Sequence, residues 1–441
     1  RSRQALRGRI RVRVPIGGTA DVRVRNSCGI TPLAPADRYT YTYPATQCLS
    51  GTCSLRIGSP RVGQLTHNAL GVLDGFNTDA GVRISFPESN LVRALRLRQW
   101  RLGQSGLGEP WGGEFGLAHT FGSLVSLDLT TDWNNWANIH DRAYARKPYG
   151  DLSTYYYYIY SDVKARIAAG QAPSYFDVWN EPAHSGTVNQ WLWVYGIAYR
   201  AIKAADPSAQ VVGPSLAQPL FTSAGQINTL GYDLSLADFL QYEMSTGVRF
   251  AAVTYHEDGT TVDPAPNSSP GRWLPAEPVP GGYRDYWSPA AIGKHVRAAK
   301  ALIASYRALS GTQVFVNEYG PVYANNEPGW MVGDFAALES AGVDQAMLTC
   351  PTEAGCNSLL DGLLGTDGSP QMPYWVMMDY SQQTGGRLQT SASGSNWYTL
   401  ATHVARADTI EALIGRADDC FGGIQCPQAH PSTHSTASAA L

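Results

Sequence analysis

The sequence predicts an α/β fold, a (β/α)8 TIM barrel with β-rich, sandwich-like N- and C-terminal flanks, on three observations. Between residues 67 and 385, short apolar runs are separated by stretches of helical periodicity, the pattern of βα units around a parallel sheet. Outside that interval the residues alternate apolar and polar, as half-buried strands do. The 441 residues also exceed the roughly 250 that one barrel takes, which leaves room for flanks.

The elements follow in chain order. Residues 1–43 form a β-rich segment, with alternation in Ile10-Arg11-Val12-Arg13-Val14 and Tyr39-Thr40-Tyr41-Thr42-Tyr43. Arginine alternating with valine puts charge on one side of a strand and apolar residues on the other; a polyanion-binding face is the second reading. Residues 44–66 read as a linker. Candidate barrel strands lie at 71–76, 95–102, 124–129, 175–179, 210–212, 250–255, 313–317 and 345–348, and eight is the number that closes a barrel. Between them, residues 187–205 place Trp191, Val194, Ala198, Ala201 and Ile202 on one helical face, and 289–309 do the same with Ile292, Val296, Ala299 and Ile303. Residues 386–430 return to short alternating runs, and the polar tail 431–441 is expected to be disordered.

Composition narrows the functional classes. The chain is 44% apolar and 16% charged with a formal net charge of −3, so no strong field favours nucleic acid. No run approaches the roughly 20 uninterrupted apolar residues of a membrane span. Six of the seven cysteines form close pairs, Cys48–Cys53, Cys350–Cys356 and Cys420–Cys426, on Gly/Thr/Pro-rich segments that fit local disulfides better than zinc knuckles. Disulfides imply an oxidising compartment and a secreted, extracellular protein. Cys28 is left over, either a buried thiol or the partner of a residue beyond Arg1.

The chemistry is carried by Asp177-Val178-Trp179-Asn180-Glu181-Pro182, where an apolar strand runs into a loop beside an amide and a carboxylic acid. In a barrel that end of the strand is the active face. Glu318 ends the later strand Val314-Phe315-Val316-Asn317-Glu318, so two acids 137 residues apart in sequence point into one mouth. A lone Glu would as readily cap a helix or form an ion pair, whereas two carboxylates across a cleft are the minimum equipment for cleaving a glycosidic bond. His256-Glu257-Asp258 lacks the second His four residues on that a helical zinc motif requires. The chemistry asks for no metal and no organic cofactor.

WNEP followed by a second strand-terminal Glu resembles the retaining glycoside hydrolases of clan A, over most of residues 67–415. Within the clan the chain is similar to family 39, the β-xylosidases, α-L-iduronidases and relatives, through DVWNEP, AADPSAQVVGPS, TYHED, VNEYGP and the segment from GLLGTDG to PYW. At the N-terminus, GGTADVRVRNSCG and ADRYTYTY resemble the last strands of an immunoglobulin-like IPT/TIG module.

The clan resemblance implies double displacement, with Glu181 as general acid and then base, Glu318 as nucleophile, and Asn180 holding the hydroxyl beside the anomeric carbon. The charge on Glu318 would help Glu181 keep its proton, and its neutralisation in the glycosyl-enzyme would release that proton affinity. His256 ends the sixth strand, where the clan carries a His or Tyr that contacts the nucleophile. Either Arg98 or Arg101 could hold Glu318 ionised, and strand alternation admits only one side to the interior.

Tyr319 and His184 flank the acids, and Trp111, Trp133, Trp273, Trp287 and Trp330 are candidate sugar platforms. Two departures bear on the substrate: Thr349-Cys350-Pro351 stands where many relatives place a Trp beneath the sugar, and Asp258 where a Tyr is often found. A xyloside is therefore not implied, and xylose, arabinose, glucose, galactose and uronic acids stay open. The expected partner is an oligo- or polysaccharide, with neither nucleic acid nor a membrane span. Two other readings remain: a carbohydrate-binding barrel without catalysis, and an adhesion module whose arginine-rich strands hold an acidic polysaccharide.

Overall fold

A computed structural model describes residues 55–73, 89–102, 111–129, 152–182, 187–216, 234–257, 289–320, 327–349, 360–365, 367–392, 397–406 and 409–417, with short backbone strands in 9–11, 18–21, 23–26, 29–30, 38–41 and 437–438. Eight parallel strands close into a barrel: Gly71–Leu73, Gln99–Leu102, Leu124–Asp128, Tyr175–Asp177, Val211–Leu216, Ala252–Glu257, Gln313–Tyr319 and Gln345–Leu348. Each overlaps one of the eight segments expected to be strands, and Val211–Leu216, Ala252–Glu257 and Gln313–Tyr319 run past the expected ends toward the mouth. The second starts at Gln99 because helix Ser89–Leu95 and Arg96, at φ 53°, occupy the residues before it.

Helices cover the barrel with the faces that periodicity predicts. Val188–Ala205 buries Trp191, Val194, Ala198, Ala201 and Ile202, and it starts in a capping box in which Thr187 and Gln190 satisfy each other's backbone N–H groups. Pro289–Ser305 buries Ile292, Val296, Ala299 and Ile303. No described helix is long and apolar enough to cross a membrane.

Along the barrel strands, alternation separates two environments. Phe176 packs among the helices, while Tyr175 and Asp177 face the interior. The deepest interior layer is apolar, with Val212, Ala252 and Phe315 packed together and the Tyr175 ring edge-on to Phe315 at 5.1 Å. The next layer toward the mouth is polar and charged: Arg101, Asp128, Asp177, Ser215, Thr254 and Asn317, all buried. Branched apolar residues usually fill this space. Their replacement by paired ions marks the end of the barrel where chemistry is expected.

A five-stranded antiparallel sheet flanks the barrel, in the order Ala437–Ser438, Thr409–Arg416, Trp397–Val404, Gly386–Ala392, Leu55–Gln64. Part of the stretch expected to be a linker, 44–66, is therefore an edge strand. Ile57 packs with Leu388, Ala401 and Ala412, whereas Gly58, Pro60 and Gly63 break the alternation that would have announced it. Within the tail expected to be disordered, Ala437–Ser438 adds a two-residue strand. The sheet lies against helix Pro328–Ala341, where a Cβ on Gly329 would run into the Arg416 carbonyl oxygen.

At the N-terminus, Arg9–Arg11 pairs antiparallel with Arg23–Asn26, and Gly18–Asp21 with Arg38–Tyr41. The three cysteine pairs and Cys28 lie outside the described residues.

Candidate active site

Strand Tyr175–Asp177 leaves the barrel through buried Val178 and Trp179 and delivers Asn180 and Glu181 to the mouth. Trp179 is held by Trp191, with ring centroids 5.3 Å apart, so the loop starts from a packed anchor. Glu181 has φ 49°, a left-handed conformation of order 1–3 kcal/mol above the usual basins. Its N–H donates to the Ser215 carbonyl at 3.0 Å, which ties the strained residue to the neighbouring strand.

Glu318 reaches the mouth by a different device. In strand Gln313–Tyr319 the register shifts between Tyr255 and His256 on one side and between Val316 and Tyr319 on the other. The irregularity turns two consecutive side chains inward: Asn317 donates to Asp177 at 3.0 Å, and Glu318 accepts from Arg101 at 2.7 Å. Re-aiming a side chain is the usual consequence of a bulge beside a functional site. Tyr319 then turns outward, fully buried, and its hydroxyl donates to the Ala69 carbonyl at 3.1 Å.

Arg101 is the hub. Its Nη1 donates to Glu318, its Nη2 to the Asn180 side-chain oxygen at 2.9 Å, and its Nε to Asp177 at 3.0 Å. Asp128 stands 3.9 Å from Nη2. Burial disfavours the cation, but Asp177, Asp128 and Glu318 outweigh it and hold the guanidinium pKa above its ordinary value. Asp177 in turn accepts from Ser215 Oγ at 2.6 and 2.8 Å. Arg98, the other candidate, is exposed before the strand and donates to the Thr66 carbonyl.

His256 joins the two acids. Its Nδ1 lies 3.2 Å from Glu181 Oε1 and its Nε2 lies 3.5 Å from Glu318 Oε1. Burial works against a charged imidazole, yet the carboxylates of Glu318 and Glu181 overcome it, and the His256 pKa is raised. The acids differ in surroundings: the Glu318 side chain is 7% exposed and that of Glu181 35%. Glu181, Glu318, Asn180, His256 and Arg101 are thus brought together from strands two, four, six and seven.

Other candidates are placed elsewhere or are not described. Trp330 is buried against Ala417 and Tyr398 of the flank. His184, Trp133, Trp273, Trp287 and Asp258 lie outside the described residues, as does the side chain of Trp111. Sequence reasoning overlooked Asp128, Asp177, Ser215 and Asn317 as partners of the hub. A signal was present: an acid closing each of two apolar runs, Leu124–Asp128 and Tyr175–Asp177, invites a buried cation.

No family model matches the chain, and no curated protein matches its sequence. Solved structures do match its fold. The protein N2152 of Neocallimastix frontalis superimposes with a TM-score of 0.62 at 17% identity, over 84% of this chain and 82% of that one. A glucosidase from Croceicoccus marinus gives 0.53 at 16% identity, covering 82% and 77%. A monomeric β-xylosidase from Caulobacter crescentus gives 0.53 at 15%, covering 80% and 74%. The barrel is a fold that glycosidases use. These likenesses do not show the immunoglobulin-like resemblance at the N-terminus.

Proposed function

We propose that this protein is a retaining glycoside hydrolase acting on an oligo- or polysaccharide. One observation carries the reading: Glu181 and Glu318, distant in sequence, face the two nitrogens of one buried histidine, and Arg101 donates to Glu318 at 2.7 Å. The asymmetry divides the work. Beside a permanent cation, Glu318 stays ionised and can attack the anomeric carbon. Glu181, whose side chain is the more exposed of the two, can carry the proton that the leaving oxygen takes.

In the first step the Glu318 oxygen bonds to the anomeric carbon as the aglycone departs with the Glu181 proton. In the second, water attacks that carbon, Glu181 accepts the water's proton, and Glu318 leaves as a carboxylate. Asn180, whose side-chain oxygen Arg101 holds at 2.9 Å, is the side chain assigned to the neighbouring sugar hydroxyl. His256 supports both carboxylates, while His184 and Trp133 are candidates for substrate contact. The cysteine pairs fit an extracellular enzyme, and reduction-dependent thiol titration of the unfolded chain checks them.

The test is a panel of aryl glycosides and polysaccharides offered to the protein and to Glu318→Ala, with NMR of the first-formed anomer. Retained configuration, lost in the variant, is expected. An inverted product removes the nucleophile role, and polymer binding by both forms without release of sugar leaves a carbohydrate-binding barrel.

A further inference from the structure

Among the described residues, three carboxylates from three strands converge on the guanidinium of Arg101. Asp177 takes Nε at 3.0 Å and Nη2 at 2.9 Å, Asp128 stands 3.9 Å from Nη2, and Glu318 is left with Nη1 at 2.7 Å. Arg101, Asp128 and Asp177 are buried beneath the mouth, so solvent screens their interactions little. Asp177 further accepts from Ser215 Oγ at 2.6 Å and from Asn317 Nδ2 at 3.0 Å. Neither aspartate reaches the mouth, and neither has a part in the proton transfers above.

We propose that Asp128 and Asp177 are positioning residues that share Arg101 with Glu318, weaken its hold on that carboxylate, and so set the balance between the two half-reactions. This rests on the reading of Glu318 as nucleophile. A carboxylate bound by an undivided cation is a poorer nucleophile and a better leaving group. In glycosylation an electron pair on Glu318 forms the bond to the anomeric carbon; in deglycosylation that bond breaks and the pair returns to Glu318. The field of Arg101 therefore resists the first step and assists the second, and the two aspartates divide that field.

Among the described residues, other titratable groups also face this cluster. His256 comes from the sixth strand and Glu181 from the end of the fourth. From the helices behind, the phenols of Tyr195 and Tyr155 are raised by burial first, and then by Asp177 and Asp128 respectively, so both stay neutral.

Asp128→Asn and Asp177→Asn test the proposal, each removing one charge with little change of shape. Two quantities are measured: the titration of the Glu318 carboxyl by 13C NMR, assigned with Glu318→Gln, and the separate glycosylation and deglycosylation rates by rapid quench with an aryl glycoside. Each variant is expected to lower the Glu318 midpoint by about one unit and to slow glycosylation about threefold to tenfold, with deglycosylation unchanged or faster. Asp128 stands beyond hydrogen-bond reach of Arg101, so Asp128→Asn decides alone if Asp177→Asn does not fold.

A midpoint that stays or rises, or equal slowing of both steps, overturns the proposal. If the wild type cleaves no glycoside, the nucleophile reading falls, and the sharing of Arg101 then stands or falls on the titration.

Discussion

The mouth of the barrel and its opposite end each bury an ionic centre, and the two are built to different ends. At the mouth, Arg101 gathers Asp177, Asp128 and Glu318. At the far end Glu339, 1% exposed, accepts from the backbone of Thr66 and His67, the Thr66 hydroxyl and the Tyr380 hydroxyl at 2.6–3.1 Å. Glu339 is saturated by groups with no chemistry to offer, and it staples the entry to the barrel onto its last two helices. Arg101 instead holds a carboxylate that keeps a face toward the mouth, beside a second one more exposed still. Burial of charge alone does not mark a functional centre; a second acid converging on it at the exits of the strands does.

Substitutions can break that contrast, and the largest effect is expected at the mouth. Glu318→Gln should lower kcat/KM by about 10⁴-fold or more with the Tm nearly kept, as nucleophile removal does elsewhere; steady-state kinetics beside calorimetry checks this. Glu181→Gln should cost about 10²- to 10⁴-fold on a glycoside with a poor leaving group and much less on a dinitrophenyl glycoside that needs no proton. A loss independent of the leaving group would remove the acid role.

At the far end the effects should reverse. Glu339→Ala strands several buried donors and should destabilise by about 3 kcal/mol while the folded fraction keeps its kcat. Urea unfolding followed by activity at low denaturant measures both.

Glu243 sharpens the contrast, because it is a buried acid with too few donors. Phe250 N–H reaches Oε2 at 2.9 Å, while Oε1 has no partner among the described residues. Burial lifts its pKa to about 7, against the opposing effects of the Phe250 bond and Arg249. Because the folded value lies above the unfolded one, the fold favours the protonated form. Its contribution is full below about 4.5, declines as pH rises toward about 7, and is flat beyond. Glu243→Gln should abolish that slope and stabilise the protein above pH 7 by on the order of 3 kcal/mol, read as Tm against pH. The smallest effect is expected for Arg98→Ala, within about 0.5 kcal/mol and without change in kcat/KM, since Arg98 is an exposed side chain on a backbone carbonyl.

Much of this centre is legible in the sequence. Apolar runs that end in Asn-Glu mark the exits of strands four and seven, because the residue types that leave a buried strand stand next to it in sequence. The choice between Arg98 and Arg101 was not legible, since alternation allows either until pairing sets which side faces in. Nor was the inward turn of both Asn317 and Glu318, which period-two alternation forbids and a register shift permits. The edge strand Leu55–Gln64 was hidden by its own glycines and proline, and Trp330 was misread because helix Pro328–Ala341 buries its side chain against a sheet formed some 70 residues later.

By itself the sequence determined the βα alternation, the eight strands, the helical faces and the two acids, for each is written in the spacing of neighbouring residues. Only the tertiary structure decided which cation meets which acid, that three carboxylates share one guanidinium, and that one histidine spans both glutamates. Those choices depend on the register and closure of strands far apart in the chain, where a shift of one residue would send every side chain to the other face.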